Sequence, residues 1–199
     1  MLSLRLSTPP AALPVSLDQA KAQLNISPTS QWDDLVTDLI ATATSDLDGH
    51  AGSLFHCLMP QAWVQYLDYA FPNCDEGAFT LPLGPVRAVT SITYIDTDGA
   101  TQTVAGSVYE LCQGGGAEDA FVRLKWAQTW PDVRRQRRAV SITYEAGYAD
   151  AQAVPSALKA AILMHVTHLF ENRGVTGAAM PELPMAYCHL ISKYRRLSV

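Results

Sequence analysis

The chain has 199 residues, 48% of them hydrophobic and 17% charged, with a formal net charge of −5, enough apolar content for one sizeable core or a core with a smaller satellite. No stretch approaches the roughly 18 uninterrupted apolar residues of a membrane helix. The opening MLSLRLSTPPAALPVSL lacks the continuous apolar core of a secretory signal, so neither membrane insertion nor export is expected, and a cytoplasmic origin is.

Residues 1–15 contain Pro9, Pro10 and Pro14 and no periodicity, and read as an extended arm. Ser16 opens a helix and forms a capping box with Gln19, each side chain satisfying an orphan backbone N–H. Leu17, Ala20 and Leu24 give that helix its apolar stripe. Pro28 breaks the chain. Ser30 is expected to cap a second helix, with Asp33 and Asp34 in its first turn where the dipole favours negative charge. Trp32, Leu35, Val36, Leu39, Ile40, Ala43 and Leu47 recur at helical spacing until Gly49 or Gly52.

The pattern then changes to strands and turns, from Phe55 to about Tyr148. Trp63, Gln65 and Leu67 share one strand-like run, and Leu81–Val86 is a Pro/Gly turn leading into Val89–Asp96. Asp98-Gly99 is a hairpin signal. Val108–Leu111, Phe121–Leu124 and Val140–Tyr144 are further strands, with the loop Gly114-Gly115-Gly116 between the first two. The tetrapeptide Ser-Ile-Thr-Tyr occurs at Ser91–Tyr94 and again at Ser141–Tyr144, as expected of two half-buried strands meeting the same demand. Helical period returns after Pro155, through Leu158, Ile162, Val166, Leu169 and Phe170, to Arg173-Gly174. After a loop with Pro181 and Pro184, Met185–Arg196 reads as a last helix ending on Lys193, Arg195 and Arg196. The expected fold is α+β: a helical bundle core from 16–52 and 150–199, with an inserted antiparallel β-rich lobe at 53–149.

Charge is uneven along the chain. Residues 1–120 carry three basic and fourteen acidic side chains, residues 121–199 eleven and five. Such polarity either attracts copies of the chain to one another or is folded together within it. A charged fraction below the usual value of about 25% suggests surface buried against partners.

Chemistry is sparse. Cys57, Cys74, Cys112 and Cys188 form no CxxC pair and read as free thiols. The glycine run lacks a following Lys-Ser or Lys-Thr, so a mobile loop is expected rather than a phosphate cradle. His165 and His168 share a helix face with Glu171, the spacing of a possible metal site, but there is no HExxH pattern and solvent-facing or interface histidines are the default. Asp33/Asp34 and Asp96/Asp98 are explained by a helix start and a turn. No catalytic, cofactor or metal site is assigned. The sharpest feature is Arg134-Arg135-Gln136-Arg137-Arg138, four arginines in five residues. A protein–protein patch is favoured there over a solvated loop or phosphate contacts, because the chain is acidic and no aromatic residues interleave the run.

Three segments resemble the head–tail connector (adaptor) proteins of long-tailed phages and gene transfer agents. They are Pro14–Lys21; Leu81–Val86 running through Val89 to Ser91–Tyr94 and the Asp96/Gly99 turn; and Tyr144 and Gly147, then Val154, Pro155 and Leu158 through Ala161–Leu163 to Glu171–Arg173. The resemblance implies a dodecameric ring beneath the portal protein that continues the DNA channel and meets a stopper or tail-terminator protein. DNA would pass without specific binding; no cofactor, membrane or catalysis is implied. The place would be the particle neck, assembled in the host cytoplasm. Net acidity suits a channel wall that DNA must slide past. Within this frame the basic carboxy-terminal stretch, with Lys193, Tyr194, Arg195 and Arg196, is a candidate for docking to the portal. The loop with Arg134, Arg135, Arg137 and Arg138 is a candidate for a neighbouring subunit or the tail side. The alternatives are a nucleic-acid-binding accessory factor using those arginines and a metal-dependent enzyme centred on His165 and His168.

Overall fold

The computed structural model describes residues 3–69, 71, 78–114, 119–174 and 183–196. Cys74, Gly115, Gly116 and Pro181, named above, lie outside them. The chain mixes α and β structure: among the described residues there are four helices, and every strand pairing is antiparallel. It divides into two compact units, one of Met1–Pro9 with Pro60–Gly147 and one of Pro10–Met59 with Tyr148–Val199.

The first unit holds all the named strands. β1 (Ser3–Thr8), β2 (Gln61–Leu67), β8 (Val140–Ala146), β4 (Val86–Ile95) and β5 (Thr101–Thr103) form a sheet in that spatial order. The segment expected as an extended arm therefore carries an edge strand, with Leu4 opposite Gln65 and Leu6 opposite Trp63. Strand β8 alternates buried and partly open residues, and Val140, Ile142, Tyr144 and Ala146 all point into the core. The two Ser-Ile-Thr-Tyr segments lie side by side: β4 and β8 pair across them, with Ser91 opposite Thr143 and Ile92 opposite Ile142. Both isoleucines have 0% exposure. The repeated tetrapeptide is thus the sheet's central cross-strand pairing, where β-branched side chains fit the pleat.

A second sheet joins β3 (Phe79–Thr80), β7 (Phe121–Leu124) and β6 (Tyr109–Cys112). Trp130 ties the two sheets: it stacks on Phe71 at 4.3 Å and lies near Phe79 and Tyr109, while Phe71 also meets Tyr94 of β4. The Asp98-Gly99 hairpin forms as expected between β4 and β5. Gly99 has φ +92°, and the Asp96 carboxylate accepts from the N–H groups of Asp98 and Ala100 and from Gln102.

The second unit holds the helices: α1 (Leu17–Gln23), α2 (Asp33–Ser45), α3 (Ser156–Glu171) and α4 (Met185–Ser192). The Ser16–Gln19 capping box is present, with both reciprocal bonds. Ser30 does not cap α2. Trp32 stands at that position without a side-chain bond, and the first-turn Asp33 instead takes the buried Lys21 ammonium of α1 at 2.6 Å. Ala43 of α2 and Ala161 of α3, both fully buried, let these helices approach closely, and Ile40, Leu47, Leu158, Ile162 and Val166 fill the core around them. The last helix stops at Ser192, four residues short of the expected Arg196, because the Arg196 N–H bonds to the Leu54 carbonyl rather than continuing the helix.

The segment after α2 packs tightly. A Cβ on Gly52 would lie 2.4 Å from both the Asp48 oxygen and the Leu47 carbonyl carbon, and these are backbone atoms that no rotamer change can move. Gly52→Ala is expected to destabilise the chain by about 2 kcal/mol, measured as a lower urea midpoint with an unchanged slope.

The charge asymmetry of the sequence does not divide the fold. The first unit carries eight basic and ten acidic side chains, the second six and nine.

Candidate interaction surfaces

The Arg134–Arg138 run enters β8 between the ends of its two partner strands. On one side the Arg134 N–H donates to the Ile95 carbonyl at the end of β4. On the other, the Tyr69 N–H donates to the Gln136 carbonyl and the Arg138 N–H to the Asp68 carboxylate at 2.8 Å. Arg138 and Tyr69 hold left-handed backbone conformations, φ 53° and 72°, a strain these bonds offset. The loop is therefore clamped on both sides. Its side chains face outward: Arg134, Arg135, Arg137 and Arg138 are all exposed. The Arg138 guanidinium rests 5.0 Å from the Tyr66 ring centre and Arg134 lies against Gly99. Among the described residues, no carboxylate comes within ion-pair distance of any of the four. Removing the clamp with Asp68→Ala is expected to cost about 1–2 kcal/mol and to hasten trypsin cleavage at these arginines, read by mass spectrometry of the fragments.

A second feature of the first unit is Trp126, 96% exposed on a tight turn closed by the Gln128 N–H to the Lys125 carbonyl, with Ala127 at φ 59°. Trp126 and Trp130 are four positions apart and look alike in the sequence; only the fold half-buries one among aromatic rings and leaves the other in solvent.

In the second unit the carboxy-terminal basic residues do not continue a helical face. Lys193 is the cap of α4, with its ammonium 4.9 Å from the Tyr194 ring. Tyr194 packs on the core, Arg196 is held to Leu54 by its backbone, and Lys193 and Arg195 remain exposed.

The histidines were expected to face solvent or an interface, and His165 does not. It is buried against Tyr187 of α4 at 5.6 Å, and its Nδ1 lacks a hydrogen-bond partner. Its Nε2 lies 3.6 Å from the Asp46 carboxylate, too long for a hydrogen bond. Burial lowers the His165 pKa; Asp46 opposes the shift and His168 adds to it, so the ring is neutral at pH 7 and the contact is not then an ion pair. His56, also buried, has its pKa lowered to about 4 by burial and by the Arg196 charge. Burial first, then the Asp46 and Cys188 charges, pushes the Tyr187 hydroxyl up to about 12. Among the described residues, no three His, Cys, Asp or Glu side chains gather as metal ligands, so His168 and Glu171 do not complete a site with His165. Cys57 is buried, Cys112 half-buried and Cys188 exposed.

Neither a protein-family model nor a curated protein matches the chain by sequence. Solved structures do match its fold over nearly the whole length. A chain of the virion of a native gene transfer agent (GTA) particle superposes with a TM-score of 0.74 at 21% identity, covering 98% of this chain and 96% of that one. A chain from the neck of an empty GTA particle, computed with C6 symmetry, gives 0.75 at 20% identity over 99% and 97%. One from the neck of a native GTA particle, computed with C12 symmetry, gives 0.64 at 22% identity over 100% and 97%. At these identities the likeness is one of fold.

Proposed function

We propose that this chain is a structural, non-catalytic subunit of the neck of a gene-transfer-agent or tailed-phage-like particle, an adaptor ring that joins the portal to the stopper or tail and continues the DNA channel. The observation that carries the proposal is the shared fold, end to end, with chains taken from GTA virions and necks. The two neck structures were computed with C6 and C12 symmetry, which suits head-to-tail copies closing into a ring. In this proposal the helical stretches 16–52 and 150–199 form the bundle core and 53–149 the inserted lobe, with unit boundaries near 59/60 and 147/148 in support. Net acidity keeps DNA from being retained by the channel wall.

Deleting the chain from the producing cell tests this directly. The expected product is DNA-containing heads without tails, restored to complete particles by supplying the chain in trans; complete tailed particles without it contradict the proposal.

Docking to the portal is assigned to the carboxy-terminal basic residues. Arg196 is engaged within the second unit, so the clean probes are Lys193 and Arg195. Reversing both to Glu is expected to leave the thermal midpoint unchanged but to weaken docking by about 2 kcal/mol or more, roughly thirtyfold, seen as lost transfer titre. A normal titre refutes the docking assignment.

The four guanidinium groups, without carboxylate partners among the described residues, favour one second reading, a nucleic-acid-binding accessory factor. Salt-sensitive DNA binding near 50 mM salt, abolished by changing Arg134, Arg135, Arg137 and Arg138 to Ala, would establish it; the adaptor proposal expects none.

A further inference from the structure

We infer that the clamped Arg134–Arg138 loop docks on the exposed face of α2 in a second copy of this chain, making the head-to-tail contact of the ring. This rests on the neck-subunit proposal and names the surfaces that join. The α2 face consists of Asp34, Thr37, Asp38, Ala41, Thr42 and Ser45, all exposed. Every one of these side chains is short, so a partner can lie close against the helix. Asp34 and Asp38 are one turn apart, where like charges repel, and no Lys or Arg stands three or four residues from either within the helix. Among the described residues, neither carboxylate has a cation within ion-pair distance.

The arginine loop presents the complement. Its guanidinium groups are exposed and, among the described residues, without carboxylate partners, on a backbone fixed by bonds to both flanking strands. A fixed loop loses little freedom on docking, and Arg is the cation best suited to a desolvated carboxylate pair. The two surfaces are unlike and sit on different units of the chain, so the contact is heterologous. Repeated by rotation it closes a ring without self-complementary patches. An acidic patch paired with a basic one also accounts for both on a chain whose charged fraction is only 17%.

Charge swapping tests the pairing. Arg135→Glu with Arg137→Glu, and separately Asp34→Lys with Asp38→Lys, should each lower ring formation by about tenfold or more, while thermal midpoints show that both variants fold. Ring formation is read by native mass spectrometry of the full chain and by electron microscopy of particle necks. Combining all four substitutions should restore rings to nearly the original yield. Rings that persist through either double reversal, or losses that the combination does not repair, overturn the contact while leaving the neck proposal standing. If the unmodified chain never forms or joins a ring, the neck proposal itself fails and this contact falls with it.

Discussion

Ile142→Ala is expected to destabilise the strand-bearing unit by about 3–4 kcal/mol. Ile142 lies on β8, the strand hydrogen-bonded on both sides, and faces Ile92 across the central pairing, with Gln65 of β2 opposite on its other flank. Both isoleucines have 0% exposure. Truncation removes three carbons from a site that backbone bonds to two neighbours prevent from collapsing, so the transfer and cavity terms add. Ile142→Val removes one methylene and is expected to cost about 1 kcal/mol. Trp63, Trp126 and Trp130 belong to this unit and Trp32 to the other, so tryptophan fluorescence during urea unfolding reports chiefly on the affected part. A loss under about 1 kcal/mol for the alanine variant would show that the repeated tetrapeptides do not form the core pairing.

The second large effect is an acid instability centred on His56. Its ring is buried beside Tyr148, its Nδ1 has no hydrogen-bond partner, and its pKa is lowered from 6.5 to about 4. The unfolded chain takes up this proton as pH falls through 6.5, while the folded chain refuses it until about 4. Across that window the unfolded state binds more protons, so stability decreases as pH decreases, by about 3 kcal/mol in total. The buried His165 acts in the same direction. His56→Gln removes one titrating group and should flatten the fall in urea midpoint between pH 7.5 and 4.5, beyond what the carboxylates contribute. Arg196→Gln should narrow the window, since the Arg196 charge is the second cause of the His56 shift. An unchanged pH profile in His56→Gln would place the acid sensitivity elsewhere.

What was legible in the sequence was local. The Ser16–Gln19 box, the Asp98-Gly99 hairpin and the Phe121–Leu124 strand depend on neighbours a few residues away, and each is found where the pattern puts it. What was not legible depends on distant partners. Residues 3–8 became a strand because β2 lies about sixty positions later to receive them. The last helix ended early because Leu54 offered its carbonyl to Arg196. Periodicity put His165 and His168 on one face of α3, but only the packing of Tyr187 decided that His165 is buried. Trp126 had no sequence signal at all, since its exposure is set by a turn close in sequence to the half-buried Trp130. The arginine run was visible as composition; that its backbone is clamped by bonds to Ile95, Asp68 and Tyr69 was not.

The most direct measurement is an electron-microscopy map of the particle neck from the producing cell, with its chains traced. The account predicts a ring of this chain between portal and tail, with each copy's Arg134–Arg138 loop against the next copy's α2. A neck traced completely by other chains, with this one absent from purified particles, would contradict it.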